Sequence, residues 1–170
     1  GEERYPGYQP RVSAVGDTRH ASILGELRVS RFLLEAVTGE PITSFRPGYL
    51  ATPDSLPEAL EASGYRFSSS ISSGNALTHL PFRTTFGRRY SSETEIFEFP
   101  ISLEDERLIA GASRLDTGIA LAGSLAGYGG LNIVLLHPNE TGEKLVYLDR
   151  LLEAIGPVSW FGTLQEFGNW

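Results

Sequence analysis

Two positions set a reactive side chain where a strand gives way to a turn. Arg46 lies in SFRPGYL (44–50), at the end of a strand-like run and just before Pro47-Gly48-Tyr49 turn the chain. His137 lies in LLHPN (135–139), at the end of an apolar run and just before Pro138. A guanidinium is a fixed cation with a planar fork of donors, and an imidazole exchanges a proton near neutral pH. In parallel α/β folds ligands sit beyond the C-terminal ends of the strands, so two such ends would bring this cation and this proton carrier to one pocket. Each position also has a plainer reading. Arg46 could form a surface ion pair with one of the 21 acidic residues, and His137 could simply cap a strand.

Alternating strands and helices would position both residues. Residues 1–18 read as loop. Residues 19–37 form a helix with an apolar face of Ile23, Leu24, Leu27, Leu33, Leu34 and Val37, stopped by Gly39. Residues 42–45 are a short strand. A second helix over 55–63 opens on a capping-box pattern, Ser55-Leu56-Pro57-Glu58, and closes at Gly64. Residues 65–69 are strand-like, 68–79 a Ser/Gly/Asn loop, and 96–102 an alternating strand. Residues 104–127 are helical. The run LNIVLL at 131–136 is apolar enough for a strand buried on both faces. Residues 142–155 form a helix whose Leu145, Leu148, Leu152 and Ile155 share a face, 158–160 a last strand, and 161–170 a last turn or short helix. Strands alternating with helices indicate an α/β fold, and no internal repeat divides the 170 residues, which read as one domain.

Hydrophobic residues make up 41 % of the chain and charged residues 21 %, which excludes a disordered chain or a coiled coil. A net charge of −7, with no basic run beyond GRRY at 87–90, argues against nucleic-acid or anionic-membrane partners. With no cysteine there are no disulfides and no thiolate metal sites, and the compartment stays open. No apolar run reaches the length of a membrane span. The first 22 residues are polar and rich in Pro and Gly, which leads us to expect further polypeptide upstream.

Beyond these patterns, FRPGY (45–49) resembles the Arg-x-x-Tyr motif of the NodB-homology polysaccharide deacetylases. GYRFSSSIS (64–72) and EFPISLEDE (98–106) are similar to that family's following strands, LLHPN (135–139) to its Leu-x-His strand end, and WFGTLQEFGNW (160–170) to its closing segment. The resemblance covers nearly all of the chain from about residue 19. It implies a partial or distorted parallel (β/α) barrel and a metal-dependent N-deacetylase that hydrolyses the acetamide of N-acetylated amino sugars in a polysaccharide. Carried over by matching motif, Arg46 would orient the catalytic Asp, Tyr49 would offer its backbone N–H to the oxyanion, His137 would be the general acid, and Leu135 would wall the acetyl pocket. His79, in NALTHLPF, is the candidate for a loop contact to substrate, and Trp160, with Tyr49, Tyr65, Phe67 and Phe161, for stacking on sugar.

The family's first two motifs, an Asp pair and a pair of His a few residues apart, have no counterpart here. His20, His79 and His137 are far apart, and Asp17-x-x-His20 is poorly spaced for ligation. The resemblance therefore implies a divalent metal, commonly zinc, whose ligands lie outside this chain. It also implies the C-terminal portion of a barrel, whose open edge would seek the missing N-terminal segment or another copy of the chain. Ser68, Ser69 and Ser70 occupy the region where the acidic partner of the histidine often sits, which leaves Glu98 and Asp105 as replacements. A non-catalytic carbohydrate-binding or regulatory module of the same fold is the second expectation, and an unrelated α/β domain with chance motifs the third.

Overall fold

The computed structural model describes residues 22–86, 92–105, 111–139 and 141–170. The loop expected over 1–18, the candidates Asp17 and His20, and the basic run at 87–90 lie outside them. The described residues gather into two compact units: residues 22–70, 82–86, 92–98 and 168–170, and residues 71–81, 99–105, 111–139 and 141–167. The fold is mixed α/β, and the strands of the described residues form no closed barrel.

In the first unit, α1 (Ile23–Thr38) starts where the Ser22 hydroxyl accepts the Gly25 N–H and ends at Gly39, whose φ of 74° suits a residue without Cβ. Helix α2 (Leu56–Ala62) follows, but the Ser55 capping box does not form. Ser55 already has helical angles (φ −84°, ψ −2°), because a turn from Pro53 O to the Leu56 N–H precedes it. A capping side chain needs an extended N-cap to reach back to the first turn. Gly64 closes α2 at φ 80°, and a Cβ there would strike the Arg31 guanidinium, which donates to Ser63 O at 2.6 Å. Leu27, Leu56, Leu60, Tyr65 and Ile96 form the core between helices and sheet.

That sheet has the order β1-β2-β4-β3, with β1 (Ser44–Phe45), β2 (Phe67–Ser68), β3 (Phe82–Phe86) and β4 (Ser92–Glu98). β1, β2 and β4 are parallel, in a register that aligns Phe45, Ser68 and Glu98, while β3 is antiparallel to β4. The strand expected at 96–102 therefore starts earlier and stops at Glu98. Pro100 has no N–H for a ladder, so the chain breaks there. β3 had no counterpart in the sequence reading.

In the second unit, α3 (Ser73–Ala76) interrupts the expected 68–79 loop. β5 (Leu103–Glu104) pairs in parallel with β6 (Val134–Leu135), Leu103 opposite Val134 and Glu104 opposite Leu135. α4 (Ala112–Gly127) and α5 (Thr141–Ile155) pack with them around Leu103, Ala122, Tyr147, Leu151 and Ile155. The 131–136 run is not buried on both faces. Its ladder is two residues long, its side chains are half-buried, and Leu136 is exposed. The expected face of α5 is also rotated: Leu145 and Leu152 are exposed, while Lys144, Tyr147, Leu151 and Ile155 are buried. Gly156–Val158 is a 3-10 turn rather than a strand, and α6 (Leu164–Asn169) ends the chain. A capping box forms at α6: Thr163 N–H and Oγ donate to Glu166 at 2.7 and 2.8 Å, and the Glu166 N–H donates back at 3.2 Å. Among the described residues no helix is long and apolar enough to cross a membrane.

Candidate functional site

Parallel register explains the main cluster of the second unit. Since Glu104 lies opposite Leu135, the chain leaves both strands at the same end, and Asp105 and His137 meet just beyond it. Asp105 is fully buried. Its Oδ1 lies 2.8 Å from His137 Nδ1, and its Oδ2 accepts the His137 backbone N–H at 2.7 Å. One carboxylate thus fixes both the histidine's backbone and its ring. The ring itself is 38 % exposed.

Lys144, buried on α5, reaches the same carboxylate at 3.0 Å from Oδ2. Its ammonium also donates to Asn139 Oδ1 at 2.7 Å and to the His137 carbonyl at 3.4 Å. One turn further along, the buried Tyr147 hydroxyl has no hydrogen-bond partner among the described residues. Burial first, and the Asp105 charge second, push its pKa up to about 12.

Of the two acids left open by the sequence, Asp105 takes the histidine. Glu98 serves a network inside the first unit. It is buried and accepts the Ser70 N–H at 2.6 Å, beside the linked hydroxyls of Ser68 and Ser70 (2.6 Å). Arg46 follows β1 in the same unit and donates to Ser69 O and Ser69 Oγ, both at 2.9 Å. Arg46 as a residue is exposed, but protein atoms crowd its guanidinium. That burial pulls its pKa below the ordinary value, while the Glu98 charge acts the other way.

The turn after Arg46 has its unusual backbone just past Gly48. The left-handed residues are Tyr49 (φ 54°, ψ 18°) and Leu50 (φ 51°). With the Ala51 N–H on Gly48 O at 3.2 Å, this is the geometry of a type I′ turn, which glycine and asparagine normally occupy. Two consecutive side-chain-bearing residues held there store local strain, a feature that clusters at functional sites. The Tyr49 ring is almost fully exposed.

The remaining candidates separate. Leu135 is half-buried in β6. His79 is half-buried after α3, and its Nδ1 is buried without a partner among the described residues. Trp160 and Phe161 are more than half exposed, and Trp160 meets Phe167 edge-on at 4.4 Å. Tyr65 and Phe67 are core residues rather than stacking platforms. Tyr65 donates to Leu27 O at 3.3 Å, and Phe67 is 1 % exposed.

Among the described residues no three His, Asp or Glu side chains gather closely enough to hold a metal ion. Comparison with protein-family models gives no match, and comparison with curated proteins gives none either.

Sequence reasoning overlooked Lys144. Its signal was the spacing of Tyr147, Leu151 and Ile155, four residues apart, which places position 144 on the same buried stripe. A lysine on a buried stripe needs an acid, and that requirement points to Asp105.

Proposed function

We propose that the chain is the C-terminal portion of a metal-dependent carbohydrate N-deacetylase, with a partial (β/α) barrel and with His137 as the proton donor to the leaving amine. The Asp105–His137 pair carries this reading. A half-exposed imidazole backed by a buried carboxylate suits a group that must give up a proton at Nε2 and recover it. Nδ1 stays hydrogen-bonded to Asp105 throughout, so the ring keeps its orientation as its charge changes. The divalent metal implied by the resemblance would activate the attacking water. The described residues do not fit it, so its ligands would come from polypeptide outside them, and no step here runs through it. The resemblance alone assigns the oxyanion role to the Tyr49 N–H. The strain at Tyr49 and Leu50 supports that assignment, because such strain persists only where the surroundings over-determine the backbone.

The test is acetate release from oligomers of N-acetylglucosamine by the full-length gene product supplied with zinc. Release at a rate that scales with protein supports the reading. Binding of the oligomers without any release would instead support a carbohydrate-binding module, which the exposed Trp160 and Tyr49 rings would also serve.

A further inference from the structure

Trp160 is the stacking candidate that the proton-donor reading leaves unused. The segment that carries it, residues 159–162, runs between the 3-10 turn at Gly156–Val158 and the capping turn of α6, and it joins neither sheet. Its indole is nonetheless held in place. The Phe167 ring meets it edge-on, with the ring centroids 4.4 Å apart. A Cβ at Gly162 would come to 2.8 Å from Trp160 Cη2 and 3.0 Å from Cζ2, so only glycine lets the indole lie that close to the chain. The Thr163–Glu166 capping box fixes the first turn of the helix that carries Phe167. Held from two sides, Trp160 is still more than half exposed, and so is the next ring, Phe161. The backbone N–H and C=O groups of Trp160, Phe161 and Gly162 have no hydrogen-bond partner among the described residues.

We propose that Trp160, with the main chain of residues 160–162, is a binding subsite for one pyranose ring of a polysaccharide. The sugar class rests on the deacetylase reading; the held ring and the unpaired main chain do not. A pyranose has a face of C–H groups and a rim of hydroxyls. The C–H face suits the electron-rich face of an indole. The hydroxyls suit the main-chain N–H and C=O groups beside it, since each hydroxyl both donates and accepts. An apolar protein surface laid here would cover the ring but bury those main-chain groups without partners, which is costly. Because Gly162 and Phe167 already fix the indole, binding freezes no mobile side chain, and little affinity is lost to ordering.

The experiment is 19F NMR of the full-length gene product labelled with fluorotryptophan and titrated with the N-acetylglucosamine trimer. The Trp160 signal is the one lost in Trp160→Ala, and the fully exposed Trp170, identified by Trp170→Phe, is the control for unspecific stacking. The trimer is expected to move the Trp160 signal saturably and to leave Trp170 in place. In ligand-observed NMR, Trp160→Ala should weaken binding about tenfold. Gly162→Ala, which displaces the indole without removing it, should weaken binding as well. An unmoved Trp160 signal overturns the proposal, as do two signals that move alike, or Trp160→Ala binding within about threefold of wild type. A Trp160 signal that shifts with protein concentration in the absence of sugar assigns the segment to pairing between copies, and also overturns it. If Trp160→Ala does not fold, Trp160→Phe supplies the assignment and the wild-type titration decides. Saturation at Trp160 without acetate release would overturn the deacetylase reading alone, and release with an unmoved Trp160 signal would overturn this proposal alone.

Discussion

Arg46 and His137 occupy equivalent places, each just past a short parallel strand, yet their side chains end in different situations. The Arg46 fork is spent on protein: it ties Ser69 through a carbonyl and a hydroxyl, beside a buried Glu98. Asp105 holds His137 at Nδ1, and 38 % of the histidine side chain lies in solvent. In the first unit the strand-end charge fixes backbone next to a strained turn. In the second, a buried carboxylate holds a ring that is partly open to solvent. A strand-end location is thus a poor guide to chemistry until the partners of the side chain are known.

Four substitutions or titrations would break or sharpen this contrast. The largest effect is expected for Asp105→Ala, which strands the buried Lys144 ammonium. The loss should be about 3–5 kcal/mol of stability by chemical denaturation. A loss below about 1 kcal/mol would mean that the second unit does not depend on its buried pair. Next comes alkaline titration. The Tyr147 phenol is raised to about 12 in the folded chain, above its ordinary value near ~10. Its contribution is complete below about pH 10 and is lost as pH rises toward about 12, because the unfolded phenol ionises first. Measured as the difference between wild type and Tyr147→Phe, that loss should be about 2 kcal/mol. A difference that does not change with pH would place the hydroxyl in a wetter site. Arg46→Met should cost about 1–2 kcal/mol through its two lost hydrogen bonds to Ser69, whereas the same change in an unanchored surface arginine costs little. The smallest effect is Tyr49→Gly, which relieves a left-handed side-chain-bearing residue and removes an exposed ring. It should be neutral or stabilising by up to about 1 kcal/mol in thermal unfolding. Clear destabilisation would show that the Tyr49 side chain holds the turn.

The α/β class and most of the longer helices were legible because helix periodicity and glycine stops are local signals. Gly39 and Gly64 mark helix ends for that reason. Strands were harder, since β1, β2, β5 and β6 span two residues each and their position is set by partners, not by their own sequence. The face of α5 was misread because Leu145, Leu148, Leu152 and Ile155 satisfy the helical period as well as Tyr147, Leu151 and Ile155 do. Only packing against β5 and α4 selects between them. The capping boxes carry the same lesson. Ser55-x-x-Glu58 and Thr163-x-x-Glu166 look alike in sequence, and the backbone entering each helix decides which one closes. At the site, His137 was visible as a histidine before proline. Its acid was ambiguous because Glu98 and Asp105 both follow strand-like runs, and the β5–β6 register, which no single segment encodes, resolves the choice.

The account turns on His137 being the reactive member of the pair of strand-end residues. The most direct measurement compares acetate release and stability in wild type and His137→Ala, using the full-length gene product and N-acetylglucosamine oligomers. The expected result is turnover lower by roughly 10²–10⁴-fold, with a stability change within about 1 kcal/mol, as suits a half-exposed proton donor. Turnover that falls by less than tenfold, or that falls only as far as stability does, would contradict it.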